Sequence, residues 1–232
     1  MQDNRLISQD TRSIVATFMT KVYAWMAIAL GLTGAVSYFV ASTPAIYTNF
    51  YSNSLIPMVF AIGTMIFGMW LLSSIQKLSV SAAVGCFALY STLLGVTLSS
   101  IFLVYTAGSI ASTFFVSAGM FGAMSVVGGV VKRDLSGFGR FLMMGLIGFV
   151  IASVVNIFFK SPAMYWALTY IGVFIFAGLT VYDTQRLRNM AYELEGEDES
   201  TVTKVAVLGA MHLYLDFINL FLMLLRIFGE RK

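Results

Sequence analysis

Between Val22 and Val131 the chain carries a single charged side chain, Lys77. A stretch of this length is far too long to be one buried helix of a soluble protein. A bilayer hydrocarbon core is about 30 Å thick and is crossed by about 20 helical residues, so the stretch has room for several spans. Charged residues make up 11% of the chain, against about 25% in soluble domains. We therefore expect an integral membrane protein.

Continuous apolar runs predict seven transmembrane helices. Backbone groups in lipid must be satisfied inside a helix or a closed barrel, and a barrel needs short alternating strands that these runs do not resemble. The expected fold class is all-α, a polytopic membrane protein with residues 1–20 as a polar N-terminal tail and 21–232 as one seven-helix domain. The predicted spans are 22–41, 55–73, 79–99, 106–131, 141–159, 163–185 and 205–228.

The basic residues predict a cytoplasmic N-terminus, because lysine and arginine favour the cytoplasmic side. With seven spans, ten basic residues fall inside: Arg5, Arg12, Lys21, Lys77, Lys132, Arg133, Arg140, Arg186, Arg188 and Lys204. Four fall outside: Lys160, Arg226, Arg231 and Lys232. The basic C-terminus fits this topology less well, and a re-entrant last segment remains the alternative.

A polar stripe marks the last apolar run. Asp216 lies about eleven residues into it, roughly 16 Å deep and near the bilayer midplane. His212, Asn219 and Arg226 follow at helical spacing on the same face. A polar stripe in lipid must face protein or water, so we expect the last helix to be central. The alternative is a hydrogen-bonded packing stripe without further function.

Asp183 ends the sixth run and is followed by Arg186 and Arg188. It is either an interfacial carboxylate at a helix end or, if the helix continues past Arg188, a group inside the protein that faces Asp216. Two carboxylates in one poorly solvated site tend to share a proton. Such a pair is a physical basis for a pH-sensing gate, and Asp183 with Asp216 would also offer calcium a weak, transient site.

Other features favour no further chemistry. Small residues recur at four-residue spacing in the fourth run, as in Gly119 with Ala123 and Ser125 with Gly129, which favours close helix packing. The acidic connection at 193–199 is either a solvated loop or a cation-attracting vestibule. The basic residues are scattered, so no nucleic-acid partner is expected. No catalytic constellation appears, so we expect neither an enzyme nor a cofactor, with calcium only as a permeant ion.

The last two runs resemble the Bax inhibitor-1 family of membrane proteins. The resemblance rests on Gly178-Leu179-Thr180-Val181-Tyr182-Asp183-Thr184-Gln185 and on Leu213-Tyr214-Leu215-Asp216-Phe217-Ile218-Asn219-Leu220-Phe221. It extends to 124–148 and 21–26, and the short tail and loops look most like bacterial members. It implies seven helices with the last one central, a bacterial inner-membrane location, and a pH-sensitive calcium leak regulated by a proton-sharing pair that matches Asp183 and Asp216.

One feature departs from the family pattern. Some bacterial relatives carry an arginine in the second helix that latches onto the aspartate of the sixth, whereas 55–73 has no charged residue and Lys77 lies just beyond. Three hypotheses therefore stand. The first is a pH-regulated calcium leak. The second is a regulator or partner of a quality-control protease such as FtsH, or a stress or cell-death modulator, without transport of its own. The third is a proton-driven transporter.

Overall fold

The computed structural model describes the backbone of residues 2–232 and the side chains of residues 13–232. Within that part of the chain, helices follow one another with short connections, and a single 3₁₀ turn covers Ile75–Lys77. The helices are α1 (Gln2–Ser42), α2 (Pro44–Tyr51), α3 (Leu55–Ser74), α4 (Val80–Leu98), α5 (Ser100–Val104), α6 (Ala107–Val130), α7 (Ser136–Phe159), α8 (Pro162–Glu193) and α9 (Glu199–Phe228).

Seven of these segments are long and apolar enough to cross a membrane, which confirms the predicted all-α polytopic class. They are Ser13–Ser42, Leu55–Lys77, Val80–Val104, Ala107–Val130, Ser136–Phe159, Pro162–Glu193 and Glu199–Phe228. The expectation of a single domain stays a prediction.

The helix bounds differ from the predicted spans mainly where polar residues continue a helix. Helix α1 begins at Gln2, so most of the expected tail of residues 1–20 is a helical extension of the first span. Helix α8 runs to Glu193 instead of ending at 185. Hydropathy marks only the part of a helix that lies in lipid, whereas the backbone ladder continues past it wherever the helix ends are solvated or capped.

Proline and local caps set several helix ends. Pro44 and Pro162 occupy the first turns of α2 and α8, where a missing N–H costs nothing. Ser79 caps α4, and its hydroxyl accepts a hydrogen bond of 3.3 Å from the Ala82 amide. Lys160 ends α7 in the left-handed conformation with φ of 49°. These signals lie in the connections, and the spans between them remain uninterrupted.

The chain forms two compact units. The first comprises Met1–Thr106, Met190–Tyr214 and Lys232. Inside it, the Thr33 hydroxyl donates to the Ser91 carbonyl at 2.9 Å and lies 2.7 Å from the Tyr214 hydroxyl. The fully buried Tyr214 ring packs edge-on against Phe87 with centroids 5.6 Å apart. Polar side chains therefore join α1, α4 and the first half of α9 in this unit.

The second unit comprises Ala107–Asn189 and Leu215–Arg231. Helices α6 and α8 approach each other closely at Gly128 of α6, where an added Cβ would overlap the Val181 carbonyl oxygen and the Thr184 Cβ of α8. Gly119 and Gly129, which the spacing pattern predicted as close contacts, would meet nothing within 4 Å. The interpretation of that pattern as close packing is therefore wrong at these glycines.

Helix α9 contributes residues to both units and is the most buried of the seven spans. In its most apolar 18-residue window 67% of the residues are buried, against 6% for α7. It is one unbroken helix of 30 residues, about 45 Å long and so long enough to cross a bilayer. The polar stripe had predicted such a central position.

Candidate functional site

Asp183 and Asp216 are buried acidic side chains of the second unit. They expose 8% and 6% of their surface, respectively. Helix α8 continues ten residues past Asp183 to Glu193, which is about 15 Å of further helix. The condition set from the sequence, a helix that extends past Arg188, is therefore met, and Asp183 does not lie at a helix end.

The two carboxyl groups are joined by a side-chain hydrogen bond. An ionised carboxylate only accepts hydrogen bonds, so a bond between two carboxyl groups needs a proton on one of them. The second oxygen of Asp216, Oδ2, is buried and accepts no hydrogen bond from the described protein atoms. The pair can thus hold one proton and still presents an oxygen with acceptor capacity.

Three further hydroxyl groups of this unit are buried without a hydrogen-bond partner among residues 13–232: Thr113 Oγ1 and Ser125 Oγ of α6, and Thr184 Oγ1 of α8. Thr184 follows Asp183 directly. Ser125 lies on the face of α6 that also carries Gly128, one turn away, which approaches Thr184. Buried polar atoms are almost always hydrogen-bonded, so unpaired ones mark functional or hydrated places. Thr184 thereby places an unpaired neutral oxygen on the residue next to Asp183.

The apolar boundary of the site is aromatic. Phe217, the neighbour of Asp216, packs against Phe121 of α6 with ring centroids 5.6 Å apart and against Phe114 at 5.4 Å. Edge-to-face pairs of this kind fix ring positions beyond what area burial alone provides. Phe217, the residue after Asp216 in α9, is therefore held in place by aromatic rings of α6.

Within residues 13–232, no group of three or more His, Cys, Asp or Glu side chains is placed to hold a metal ion. A calcium ion takes six to eight oxygen ligands. Two carboxylates therefore cannot complete the coordination of calcium, which would also require hydroxyl, carbonyl or water oxygens. Calcium binding at Asp183 and Asp216 stays a prediction, of a weak site.

A clamp next to the pair was not anticipated from the sequence. Gln185 is buried, and its Nε2 donates to the carbonyls of Val131 at 3.0 Å and Arg133 at 2.9 Å, while its Oε1 accepts from the Leu135 amide at 3.0 Å. One side chain thereby holds the connection between α6 and α7. The signal was a glutamine that closes an apolar run directly after the Asp183 motif.

Arg188 extends this clamp. Its guanidinium donates to the carbonyl oxygens of Gly129 at 2.5 Å and Val131 at 3.2 Å. The last carbonyls of a helix have no partner within it, so Arg188 caps α6. The sequence had suggested only an interfacial continuation of α8. One turn of α8, from Gln185 to Arg188, thus contacts the C-terminal end of α6 and the connection that follows it, directly after Asp183 and Thr184.

The other members of the polar stripe make separate contacts. The Asn219 amide donates to the Leu215 carbonyl of its own helix at 2.8 Å. The Arg226 guanidinium lies 5.2 Å from the centre of the Tyr165 ring. His212 is half-buried and belongs to the part of α9 in the first unit. A supporting role of His212, Asn219 and Arg226 for the aspartate pair stays a prediction.

Seven apolar spans and a directly bonded pair of buried aspartates define a polytopic α-helical membrane protein with an acidic site inside its spans. A sequence profile of the family described as inhibitor of apoptosis-promoting Bax1 matches residues 15–232. The chain belongs to this family, the Bax inhibitor family. The resemblance drawn from the two aspartate motifs is thereby confirmed.

Several bacterial proteins are similar to this chain over nearly its whole length. It is 52% identical to the inner membrane protein YbhL of Escherichia coli K12 over 221 residues, 95% of this chain and 94% of the relative. It is 41% identical to a protein of Deinococcus radiodurans that it covers to 98%, and 34% identical to a membrane protein of Streptococcus pyogenes serotype M1 that it covers to 92%. The chain is thus an integral membrane protein with an inner-membrane relative.

Proposed function

We propose that this protein is a pH-regulated calcium leak channel in which Asp183 and Asp216 control opening. The observation that carries the proposal is the hydrogen bond between two buried carboxyl groups on adjacent long helices. Ionisable groups inside a membrane protein are costly and mark ion or proton pathways. The residues of this pair provide both a proton-dependent contact and oxygen ligands for a cation.

The shared proton controls the contact between α8 and α9. With one proton present, the hydrogen bond holds Asp183 against Asp216 and the pair carries a single negative charge. Loss of that proton removes the bond and places two negative charges side by side. At 4 Å and an effective dielectric constant of 20, two like charges repel by about 4 kcal/mol. That repulsion separates the two carboxylates, so calcium flux is expected to rise as the pH rises through the titration of the pair.

The same step creates the cation site. The doubly ionised pair attracts a divalent cation, and hard carboxylate oxygens suit calcium. The unpaired hydroxyls of Ser125 and Thr184 add neutral oxygens in the same unit. A site with two formal charges and few protein ligands binds calcium weakly and releases it quickly, which suits permeation better than storage.

Closure depends on the pair itself, because α3 carries no charged residue between Leu55 and Ser74. A latching arginine on this helix, as in some relatives, is therefore absent from the sequence. The protonated pair and the clamp of Gln185 and Arg188 on the end of α6 take over that holding role. We also propose a cytoplasmic N-terminus in the bacterial inner membrane, since ten basic residues then lie inside.

Calcium flux into proteoliposomes of the purified protein tests the proposal, with both sides of the membrane scanned from about pH 5 to 8. The wild type is expected to conduct increasingly toward high pH. Asp183→Asn/Asp216→Asn is expected to lose that dependence, because neither side chain can ionise. Glu195→Gln/Glu197→Gln, which removes two exposed carboxylates of the α8–α9 connection, is the matched control and should keep the wild-type pH profile.

Two outcomes would refute the proposal. An unchanged pH profile in the aspartate double variant would show that the pair does not control opening. A flux no higher than that of empty liposomes at every pH would refute the channel and favour the function of a membrane partner or regulator. Each variant is first checked for a monodisperse elution profile in detergent, so that loss of fold is distinguished from loss of gating.

A further inference from the structure

A cavity of 680 Å³ lies in the second unit, away from the aspartate pair. It is bordered by the connection between α7 and α8 and by the C-terminal end of α9. Three cationic and two interfacial aromatic side chains line it, together with the serine that opens α8: Lys160, Arg226, Arg231, Tyr165, Trp166 and Ser161. The volume falls within the range of small-molecule sites.

The charge of this cavity is uncompensated. No acidic side chain lines it. Within residues 13–232 the ion pair found is that of Lys21 with Glu199, so none of the three cavity cations has a carboxylate at ion-pair distance. Three unpaired cations in one concave site repel one another and attract an anion. The chemistry of the lining therefore calls for a negatively charged ligand.

Arg226 is fixed in place with most of its donors unused. Its guanidinium lies over the Tyr165 ring at 5.2 Å, and its described polar contact is a weak one from Nη1 to the Met223 sulfur at 3.9 Å. A guanidinium has five N–H donors in a planar fork that matches phosphate oxygens. Stacking on Tyr165 orients the guanidinium and leaves its N–H donors available, so Arg226 can bind an oxyanion.

The backbone also contributes positive electrostatic potential to the cavity. Lys160 adopts a left-handed conformation with φ of 49°, and the next residue, Ser161, accepts a hydrogen bond from the Met164 amide at 3.3 Å as α8 begins. The N-terminal end of a 32-residue helix carries partial positive charge. The helix end thus adds to the field of the three side chains.

The surroundings of the cavity are those of a membrane interface. Phe158 and Phe159, which directly precede Lys160, expose 79% and 76% of their surface. Trp166 lines the cavity and is itself partly exposed. Tryptophan and tyrosine concentrate at the depth of the lipid headgroups. The anion that reaches this cavity most readily is therefore one already anchored in the bilayer.

The membrane side on which the basic residues of the cavity lie also favours an anionic ligand. In the seven-span topology, Lys160, Arg226 and Arg231 are three of the four basic residues on the side that has fewer of them. The bias that places lysine and arginine at the other face does not account for them. All three line one cavity, whereas basic residues without a common ligand would be spread over this face of the membrane protein.

We propose that this cavity binds the phosphate-bearing headgroup of an anionic glycerophospholipid. Arg226 and the end of α8 hold the phosphate, Lys160 and Arg231 supply the charge at the rim, and Trp166 lies at the level of the glycerol backbone. The acyl chains lie along the exposed apolar surface that begins at Phe159. This inference does not depend on the calcium leak, because the residues proposed to control that leak, Asp183 and Asp216, do not line the cavity.

Fluorescence quenching by brominated lipids tests the site. In a Trp25→Phe/Trp70→Phe background, Trp166 is the one remaining tryptophan and reports lipid at the cavity. The protein is reconstituted in phosphatidylcholine vesicles that contain equal mole fractions of brominated phosphatidylglycerol or brominated phosphatidylcholine. We expect stronger quenching by the anionic lipid, with a selectivity of about fivefold for each contributing cation.

Charge variants distinguish a site from general attraction. Lys160→Gln/Arg231→Gln removes two exposed cations and leaves the stacked Arg226 in place, so the fold is kept while selectivity drops by about 25-fold, or about fivefold for each cation. Lys132→Gln/Arg133→Gln removes two exposed cations from the α6–α7 connection and should leave selectivity unchanged. Inorganic phosphate at millimolar concentration should not relieve the quenching.

Three results would overturn the proposal. Equal quenching by the two lipids in the wild-type cavity would show that no anionic headgroup is selected. An equal loss of selectivity in both charge variants would show that net charge alone attracts the lipid. Relief of quenching by inorganic phosphate would assign the cavity to a soluble anion. The calcium flux measurement is separate, so failure of one proposal leaves the other standing.

Discussion

Replacing Gly128 by alanine is expected to destabilise the protein, whereas the same change at Gly129 is expected to be neutral or mildly stabilising. An alanine Cβ at Gly128 would overlap the Val181 carbonyl oxygen and the Thr184 Cβ, and at Gly129 it would meet nothing within 4 Å. The two glycines are neighbours in one helix, so they form a matched pair that differs in contact alone.

The magnitude follows from that difference. Alanine gains roughly 0.5–1 kcal/mol over glycine inside a helix, and this gain is common to both sites. Overpacking a close contact costs about 1–3 kcal/mol, and more where backbone rather than a flexible side chain must move. The propensity term cancels in the comparison, so Gly128→Ala should be less stable than Gly129→Ala by about 1–3 kcal/mol. Because Thr184 follows Asp183, the displacement also reaches the acidic pair.

Reversible unfolding in mixed micelles titrated with dodecyl sulfate, followed by tryptophan fluorescence, measures both free energies of unfolding. Calcium flux of the two variants, measured as for the aspartate variants, reports whether the shift of α8 alters the gate. Equal stabilities of the two variants, within about 0.5 kcal/mol, would refute the close approach of α6 and α8 at Gly128. It would also remove the argument that Ser125 lies near Thr184.

Two further predictions concern the neighbouring clamp and connection. Gln185→Ala should lower the free energy of unfolding by about 1–3 kcal/mol, because it leaves two carbonyls and one amide of the α6–α7 connection without their buried partner. The control is Arg186→Ala, at an exposed position, which should change the free energy of unfolding little in the same titration. Hydrogen bonds from the Ser136 hydroxyl and amide lower the pKa of Asp134, an exposed carboxylate. Asp134 therefore stabilises the fold at pH values above its ordinary pKa, and it loses that contribution as the pH falls through its lowered pKa. Ser136→Ala should move the pKa of Asp134 back up toward its ordinary value, as measured by carboxyl carbon NMR, and an unmoved titration would contradict the assigned cause.

Much of the site chemistry was predictable from residue types, and its geometry was not. Asp183 and Asp216 stood out because carboxylates inside apolar runs are costly and therefore carry a function or a partner. Whether Asp183 lay at a helix end could not be settled from hydropathy, since Arg186 and Arg188 ended the apolar run. The structure continues α8 through them, because Arg188 finds carbonyl partners at the end of α6.

The sequence by itself determined the solvent of this protein and the number of its spans. With a single charged residue between Val22 and Val131, this stretch must lie in lipid. Backbone groups in lipid must be hydrogen-bonded internally, which long helices achieve, so the all-α membrane class could be predicted. Only the tertiary structure decided which side chains meet. The hydrogen bond of Asp183 with Asp216, the overlap at Gly128 but not Gly129, and the cavity shared by Lys160 and Arg226 join residues distant in the chain. In lipid, apolar faces are nearly equivalent, so helix pairing depends on close packing and polar contacts that the hydropathy pattern does not encode.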